Sequence, residues 1–209
     1  MTRRPAVIFD FGNVVAHFDY LLVCERLGRT IGMSADAFLT HATNAGFIAA
    51  LKEYESGGLT SEAFHRRVSE ITGVSVSFDE FRPAWADMFR ENESLRPVIV
   101  DLKRQGYTLI LGSNTNEIHA EHYKRQFVET FKYFDRLILS HEVGAIKPAS
   151  IFYEACAAAA GLPPGECVFI DDLAENVEGA RGVGLIGVHY IDTPRLIEDL
   201  KNFGILIDR

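Results

Sequence analysis

Two short apolar runs that end in aspartate limit the architecture more than any other feature. Ala6-Val7-Ile8-Phe9 runs into Asp10, and Cys167-Val168-Phe169-Ile170 runs into Asp171-Asp172. Both are brief and rich in β-branched and aromatic residues, the pattern of strands buried on both faces of a parallel sheet. In open α/β sheets, the crevice beyond the strand C-termini is where ligands bind. Three carboxylates gathered there repel one another unless a cation or a cationic side chain stands between them. The pattern therefore predicts a magnesium-dependent site at the C-terminal edge of a parallel sheet.

Further strands are expected at residues 107–111, 136–139 and 185–190, beside 6–11 and 167–170. Helical patterns at 96–105, 116–133, 150–160 and 175–181 separate them, and Gly106, Gly161 and Gly182 stop three of these. Alternation of this kind predicts an α/β fold, a Rossmann-like parallel sheet with helices on both faces. The interval between residues 11 and 107 is far longer than the roughly 30 residues of a βαβ unit. The surplus reads as helical. A helix over 35–51 places Ala37, Phe38, Ala42, Ala45 and Ile48 on one side, and Thr60 caps a helix through Phe64, Val68 and Ile71 that stops at Gly73. Ser77-Phe78-Asp79-Glu80 is a capping box opening a helix through Trp85, Met88 and Phe89, with Pro83 expected to disturb its first turn. The expected division is a core of residues 1–17 and 93–209 and an inserted helical cap of residues 18–92.

The chain has 209 residues, 47% of them hydrophobic, enough for one substantial core and a satellite. Its net charge of -8 disfavours nucleic acid and anionic membranes as partners, but not a small anion whose pocket contains a local cation. Cys24, Cys156 and Cys167 are odd in number and widely spaced, which fits a reducing, cytoplasmic location. The apolar run after Arg3-Arg4 stops at Asp10, too early for a signal peptide, and no stretch is long enough to cross a bilayer. Nothing in the pattern fixes the oligomeric state.

Four segments fall at or just after expected strand ends: Asp10, Ser113-Asn114, Lys147-Pro148 and Asp171-Asp172. A carboxylate can attack phosphorus, a hydroxyl and an amide can donate to phosphoryl oxygens, a lysine can neutralise charge, and magnesium can bridge carboxylate and phosphate. Each segment alone has an ordinary structural reading as a turn, a cap or a surface charge. Their order and placement together do not.

These segments resemble the motifs of the haloacid dehalogenase-like superfamily: Phe9-Asp10-Phe11-Gly12-Asn13-Val14-Val15, Leu111-Gly112-Ser113-Asn114-Thr115-Asn116, Gly144-Ala145-Ile146-Lys147-Pro148, and Phe169-Ile170-Asp171-Asp172-Leu173-Ala174-Glu175-Asn176. The insertion resembles the family's C1-type cap. The resemblance implies Asp10 as nucleophile and magnesium ligand, with the Gly12 backbone carbonyl as a second ligand. It implies that Ser113 and Asn114 hold the phosphoryl group and that Lys147 fixes the charge of Asp10 and phosphate. Asp172 then binds magnesium directly and Asp171 supports it. The implied activity is magnesium-dependent hydrolysis of a small phosphorylated metabolite, such as a sugar phosphate, through an aspartyl-phosphate on Asp10. A metal-independent 2-haloacid dehalogenase, a weakly catalytic ligand-binding domain and a phosphomutase are the rival readings.

One position departs from the family pattern. Most of its phosphatases carry an aspartate two residues after the nucleophile, which protonates the leaving alcohol and later activates water. Here that residue is Gly12. The sugar-phosphatase subgroup typified by α-D-glucose-1-phosphate phosphatase shares this glycine. His17 and Asp19 are the candidate substitutes.

Other patterns have plainer readings. Gly182-Val183-Gly184-Leu185-Ile186-Gly187 spells GxGxxG, but in a helix-to-strand turn, the reverse of a dinucleotide site. Asp10-Phe11-Gly12 lacks a kinase context. His119 and His122 read as a solvated helix face, Trp85 as cap core, and Cys24 as a small buried apolar residue. Tyr20, Phe47 and Tyr54 suit packing and substrate contact equally.

Overall fold

A computed structural model describes residues 4–208. The chain begins with β1 (Ala6–Phe9) and β2 (Ala16–Phe18), then passes through five helices: α1 (Tyr20–Arg29), α2 (Ala35–Asn44), α3 (Phe47–Glu55), α4 (Ser61–Thr72) and α5 (Phe78–Ala86). It returns along β3 (Phe89–Glu91) and continues as α6 (Arg96–Arg104), β4 (Thr108–Ser113), α7 (Glu117–Gln126), α8 (Val128–Phe131) and β5 (Arg136–Leu139). The remainder is α9 (Ser140–Val143), α10 (Ser150–Ala160), β6 (Cys167–Asp171), α11 (Ala174–Gly182), β7 (Ile186–His189) and α12 (Thr193–Asn202).

Five strands form one parallel sheet in the order β5-β4-β1-β6-β7. Strand β1 is central, with the chain wound outward on either side of it. Successive residues of a strand face opposite ways. Val7, Phe9, Leu109, Leu111, Val168 and Ile170 therefore belong to one hydrophobic core, while Ala6, Ile8, Ile110, Cys167 and Phe169 belong to the core on the other face. This two-sided burial explains why the runs lack polar alternation.

The helical insertion has a core of its own. Phe64, Phe81, Trp85, Tyr54, Val23 and Leu27 are buried together, and Ile118 of α7 joins them. Strands β2 and β3 pair antiparallel, so the chain leaves the sheet and returns to it along one ribbon. The capping box of α5 is formed, with Glu80 N–H donating to Ser77 Oγ and Ser77 N–H donating to Glu80 Oε2. Among the described residues, no helix is long and apolar enough to cross a membrane.

Several expected elements differ. The helix over 35–51 is two helices, because Gly46 adopts a left-handed φ of 92° between α2 and α3. The run over 116–133 is likewise α7 and α8, broken at Phe127. Helix α5 ends at Ala86, and Phe89 lies in β3, where its backbone pairs with Phe18. Pro83 sits in the body of α5 and leaves the capped first turn intact. The first strand ends at Phe9 rather than residue 11, while β4 and β6 extend through Ser113 and Asp171.

Candidate active site

The central strand places Asp10 just beyond its last residue, held by donation from Asp10 N–H to the Ile170 carbonyl at 2.8 Å. Asp10 Oδ1 accepts from the Phe11 N–H and from the Lys147 ammonium, each at 2.7 Å. Lys147 Nζ also donates to Asp171 Oδ2 at 2.7 Å and to the Gly112 carbonyl at 3.1 Å. Its three donors are thus matched by three acceptors from three parts of the chain.

Asn114 sets the Lys147 backbone. Lys147 N–H donates to Asn114 Oδ1 at 2.8 Å, and Asn114 Nδ2 donates back to the Lys147 carbonyl at 3.2 Å. Asp171 is fully buried, and its other oxygen accepts from Leu173 N–H at 2.9 Å and Asn176 Nδ2 at 3.0 Å. Every lone-pair direction that matters on Asp171 is therefore occupied by protein. Asp172 is half-buried and, among the described residues, accepts one side-chain bond, from Asn13 Nδ2 at 3.1 Å. Asn13 has φ 55°, the left-handed region that asparagine tolerates better than most residues.

Asp10, Gly12, Ser113, Asn114, Lys147 and Asp172 all line one cavity of about 220 Å³, with Asp171 directly beneath Lys147. Carboxylate oxygens of Asp10, Asp171 and Asp172 lie within 4.8 Å of one another. Burial raises the Asp10 carboxyl well above the usual carboxylate range; Lys147 opposes this, and Asp171 and Asp172 add to it. Burial alone would lower the Lys147 ammonium, but Asp10 and Asp171 outweigh it and hold the pKa up. An ionised Asp10 therefore calls for more positive charge than Lys147 supplies. The carboxylate oxygens left over are hard donors, Asp10 Oδ2 and the free oxygen of Asp172, and Gly12 lines the same cavity. That set suits magnesium, which takes one or two carboxylates and fills its octahedron with water and phosphate oxygens.

Gly12 has a steric reason. A Cβ there would lie 2.8 Å from Cε1 of Phe18, whose ring occupies the space where a side chain would project. Gly12→Ala, which adds the Cβ without another charge beside the acids, is expected to cost up to about 1–3 kcal/mol through overpacking. It should combine less than additively with Phe18→Ala, which removes the ring it meets. Thermal melts of the single and double variants test this.

The structure does not bring His17 or Asp19 to the cavity. Asp19 caps α1 by accepting from Leu21 N–H at 2.9 Å, and both residues line a separate groove with Arg26 and Arg90. His119 corrects the solvated-face reading. It is buried, stacked on Trp85 with ring centroids 5.0 Å apart, and bonded to the Trp85 carbonyl and to Asn116. Burial pushes its pKa down to about 3, so it stays neutral. Of the three undecided aromatics, Tyr20 lines the cavity, while Tyr54 stacks on Phe64 and Phe47 packs against Trp85. Cys24 is buried, and burial raises its thiol pKa.

One lining residue carries no sequence signal: Glu55, the last residue of α3. Its neighbours Lys52, Glu53 and Ser56 make it look like ordinary helix surface. Only the docking of the insertion onto the sheet edge exposes its position.

The haloacid dehalogenase-like hydrolase family matches residues 5–184. The chain belongs to this family. A D-ribitol-5-phosphate phosphatase of Bacteroides thetaiotaomicron is 24% identical over 183 residues, covering 85% of this chain and 87% of that one. A sesquiterpene phosphatase of Aspergillus oryzae is 28% identical over 210 residues, covering 96% of each. The crystal structure of a Bacteroides thetaiotaomicron HAD-family enzyme, in complex with magnesium and inorganic phosphate, superposes with a TM-score of 0.77 at 25% identity, covering 93% of this chain and 99% of that one.

Proposed function

We propose that this HAD-like hydrolase cleaves small phosphomonoesters, sugar or polyol phosphates above all, through an aspartyl-phosphate on Asp10. The observation that carries the proposal is the buried Lys147 bridge between Asp10 and Asp171 at the floor of the cavity. It fixes one oxygen of Asp10 and leaves the other free of protein donors, the arrangement a carboxylate nucleophile needs.

Asp10 attacks phosphorus and the alcohol departs; water then cleaves the acyl-phosphate and restores the carboxylate. Lys147 offsets the charge where nucleophile and phosphoryl group meet. The Ser113 hydroxyl and the N–H groups of Asn114 donate to phosphoryl oxygens, and their fixed placement spares reorganisation during transfer. Asp10, Asp172 and the Gly12 carbonyl would hold magnesium, with Asp171 acting through Lys147. Magnesium, when bound, neutralises charge between carboxylate and phosphoryl oxygens.

The named phosphatase relatives and the magnesium–phosphate neighbour support this reading. Cavity size favours a small alcohol. About 220 Å³ is below the range of roughly 300–1,000 Å³ typical of ligand pockets and fits a sugar or polyol better than a terpenoid. The dehalogenase reading requires a carboxylate substrate beside three acidic side chains with Lys147 already saturated, which like-charge repulsion opposes.

The test is phosphate release from a panel of sugar and polyol phosphates, with magnesium and then with a chelator, beside halide release from 2-haloacids. Chelator-sensitive phosphate release is expected; metal-independent halide release would replace the proposal with its rival. Magnesium should also stabilise the fold. At a concentration about 100 times its dissociation constant the gain is about 2.7 kcal/mol, or about 5–11 °C for a chain of this size. Asp172→Asn should reduce that shift.

A further inference from the structure

We infer that Glu55 is the general acid and base of this site, supplied by the helical insertion in place of the missing group at Gly12. The inference rests on the phosphomonoesterase reading above and deepens it.

Elimination among the titratable groups lining the cavity leads there. Asp10 is the nucleophile. Lys147 is saturated by Asp10, Asp171 and Gly112. His119 has both ring nitrogens engaged and is held neutral. Burial and the nearby Glu55 charge drive the Tyr20 phenol far up, out of reach at neutral pH. Asp172 is turned to Asn13 beside the carboxylate cluster. Glu55 is left, and its carboxyl forms no hydrogen bond or salt bridge with a described residue while lining the same cavity. It enters from the insertion, facing the sheet edge that holds the phosphoryl-binding groups. In the phosphomonoesterase reading the leaving alcohol occupies the cavity that Glu55 shares with Asp10, Ser113 and Asn114.

Glu55 is also held in place. The Ser140 hydroxyl donates to the Glu55 carbonyl at 2.6 Å and accepts from Thr115 N–H at 2.9 Å, one residue past Asn114. One hydroxyl thus ties the end of α3 to the loop that presents Ser113 and Asn114. Two residues on, Gly57 has φ 76°, and a Cβ there would lie 2.4 Å from the His141 carbonyl, so only glycine permits this close approach. Burial pushes the Glu55 carboxyl up to about 7, with Lys147 and Lys52 opposing. A group near half protonation at neutral pH suits both directions of proton transfer.

In the first step an Asp10 oxygen bonds to phosphorus and the bond from phosphorus to the ester oxygen breaks. Its electron pair stays on that oxygen, which takes the proton of Glu55 and leaves as the alcohol. In the second step the Glu55 carboxylate takes a proton from water as the water oxygen bonds to phosphorus. The acyl-phosphate bond breaks, inorganic phosphate leaves, and Asp10 and Glu55 return to their starting states.

The experiment compares wild type with Glu55→Gln on an alkyl phosphate and on p-nitrophenyl phosphate, whose leaving group needs no proton. For the alkyl ester kcat/KM, which reports formation of the aspartyl-phosphate, should fall about 10²–10⁴-fold, and for the nitrophenyl ester less than about 10-fold. Meanwhile kcat falls on both wherever water attack on the shared aspartyl-phosphate limits turnover. Wild-type kcat/KM on the alkyl ester should fall as pH rises through about 7, because the acid must be protonated, and the variant should lose this limb. The groups facing Glu55 that shape this limb are Lys147, Lys52, Tyr20, Asp10, Asp172 and neutral His119. Glutamine is isosteric and removes a buried charge, so the melting temperature should not drop. Equal losses of kcat/KM on both esters, or a raised KM with unchanged kcat, would overturn the inference and leave the hydrolase reading standing. No phosphate release by the wild type would overturn both.

Discussion

Asp10→Asn will lower turnover by about 10⁴-fold or more, with a melting temperature equal to or above that of the wild type. The activity loss follows from geometry. Among the described residues, no other carboxylate at the sheet edge is both fixed by the Lys147 ammonium on one oxygen and open on the other. Asp171 has both oxygens engaged, and Asp172, which keeps a free oxygen, bonds Asn13 and not Lys147. An amide does not attack phosphorus. Stability should survive for a separate reason. Burial and two neighbouring acids raise the Asp10 carboxyl, so the folded state bears a cost for ionising it. Asparagine removes that charge, keeps an oxygen to accept from Phe11 N–H and Lys147, and leaves the Lys147 bond to Asp171 in place. Steady-state phosphate release and a thermal melt measure the two effects. Wild-type-like kinetics in a folded variant would remove Asp10 from the chemistry. Loss of activity together with the fold would make it a structural residue.

The sheet was the most legible part of the molecule because its signal is local. Each buried strand is a short apolar run, and Arg136–Leu139 and Ser150–Ala160 fall where the pattern puts them. The polar residues at strand ends were readable for the same reason: parallel topology brings all C-terminal ends to one edge. Breaks inside helical stretches were less legible. Gly46 divides α2 from α3 although the apolar spacing runs on through it, since periodicity measures faces and not continuity. His119 looked solvated because its neighbours on α7 are charged, yet Trp85 and Tyr20 of the insertion cover it.

The roles of Gly12, Phe18 and Glu55 show where reading along the chain stops. A missing acid at Gly12 is visible in the sequence; that Phe18 fills its place is a matter of how β2 turns back beside the first loop. Glu55 lies among polar residues at a helix end and becomes distinct only when the insertion meets the Ser140 hydroxyl. The paired Gly57-Gly58 after α3 signal a close backbone approach at that helix end, but nothing in them singles out Glu55.

Removing Lys147 should cost the most stability. Lys147→Met is expected to destabilise the protein by about 3–5 kcal/mol in magnesium-free buffer, or about 6–20 °C for a chain of this size, and to abolish turnover. The side chain is almost wholly buried and answers two buried carboxylates and a carbonyl. Methionine fills much of its volume but leaves all three without a donor, and the two acids without a counter-charge. Lys147→Met combined with Asp171→Asn separates this from lost packing. Deleting one acid along with the cation should return part of the stability, so the double variant loses less than the two singles together, by about 0.5–3 kcal/mol. Turnover should stay absent in both, because Asp10 still lacks its cation. Magnesium should stabilise Lys147→Met by more than it stabilises the wild type, since the ion would then be the only positive charge beside Asp10. A variant that melts within about 2 °C of wild type, less than the shift expected for a single kcal/mol at this size, would show the bridge to be incidental and would take with it the argument for an open, ionised Asp10.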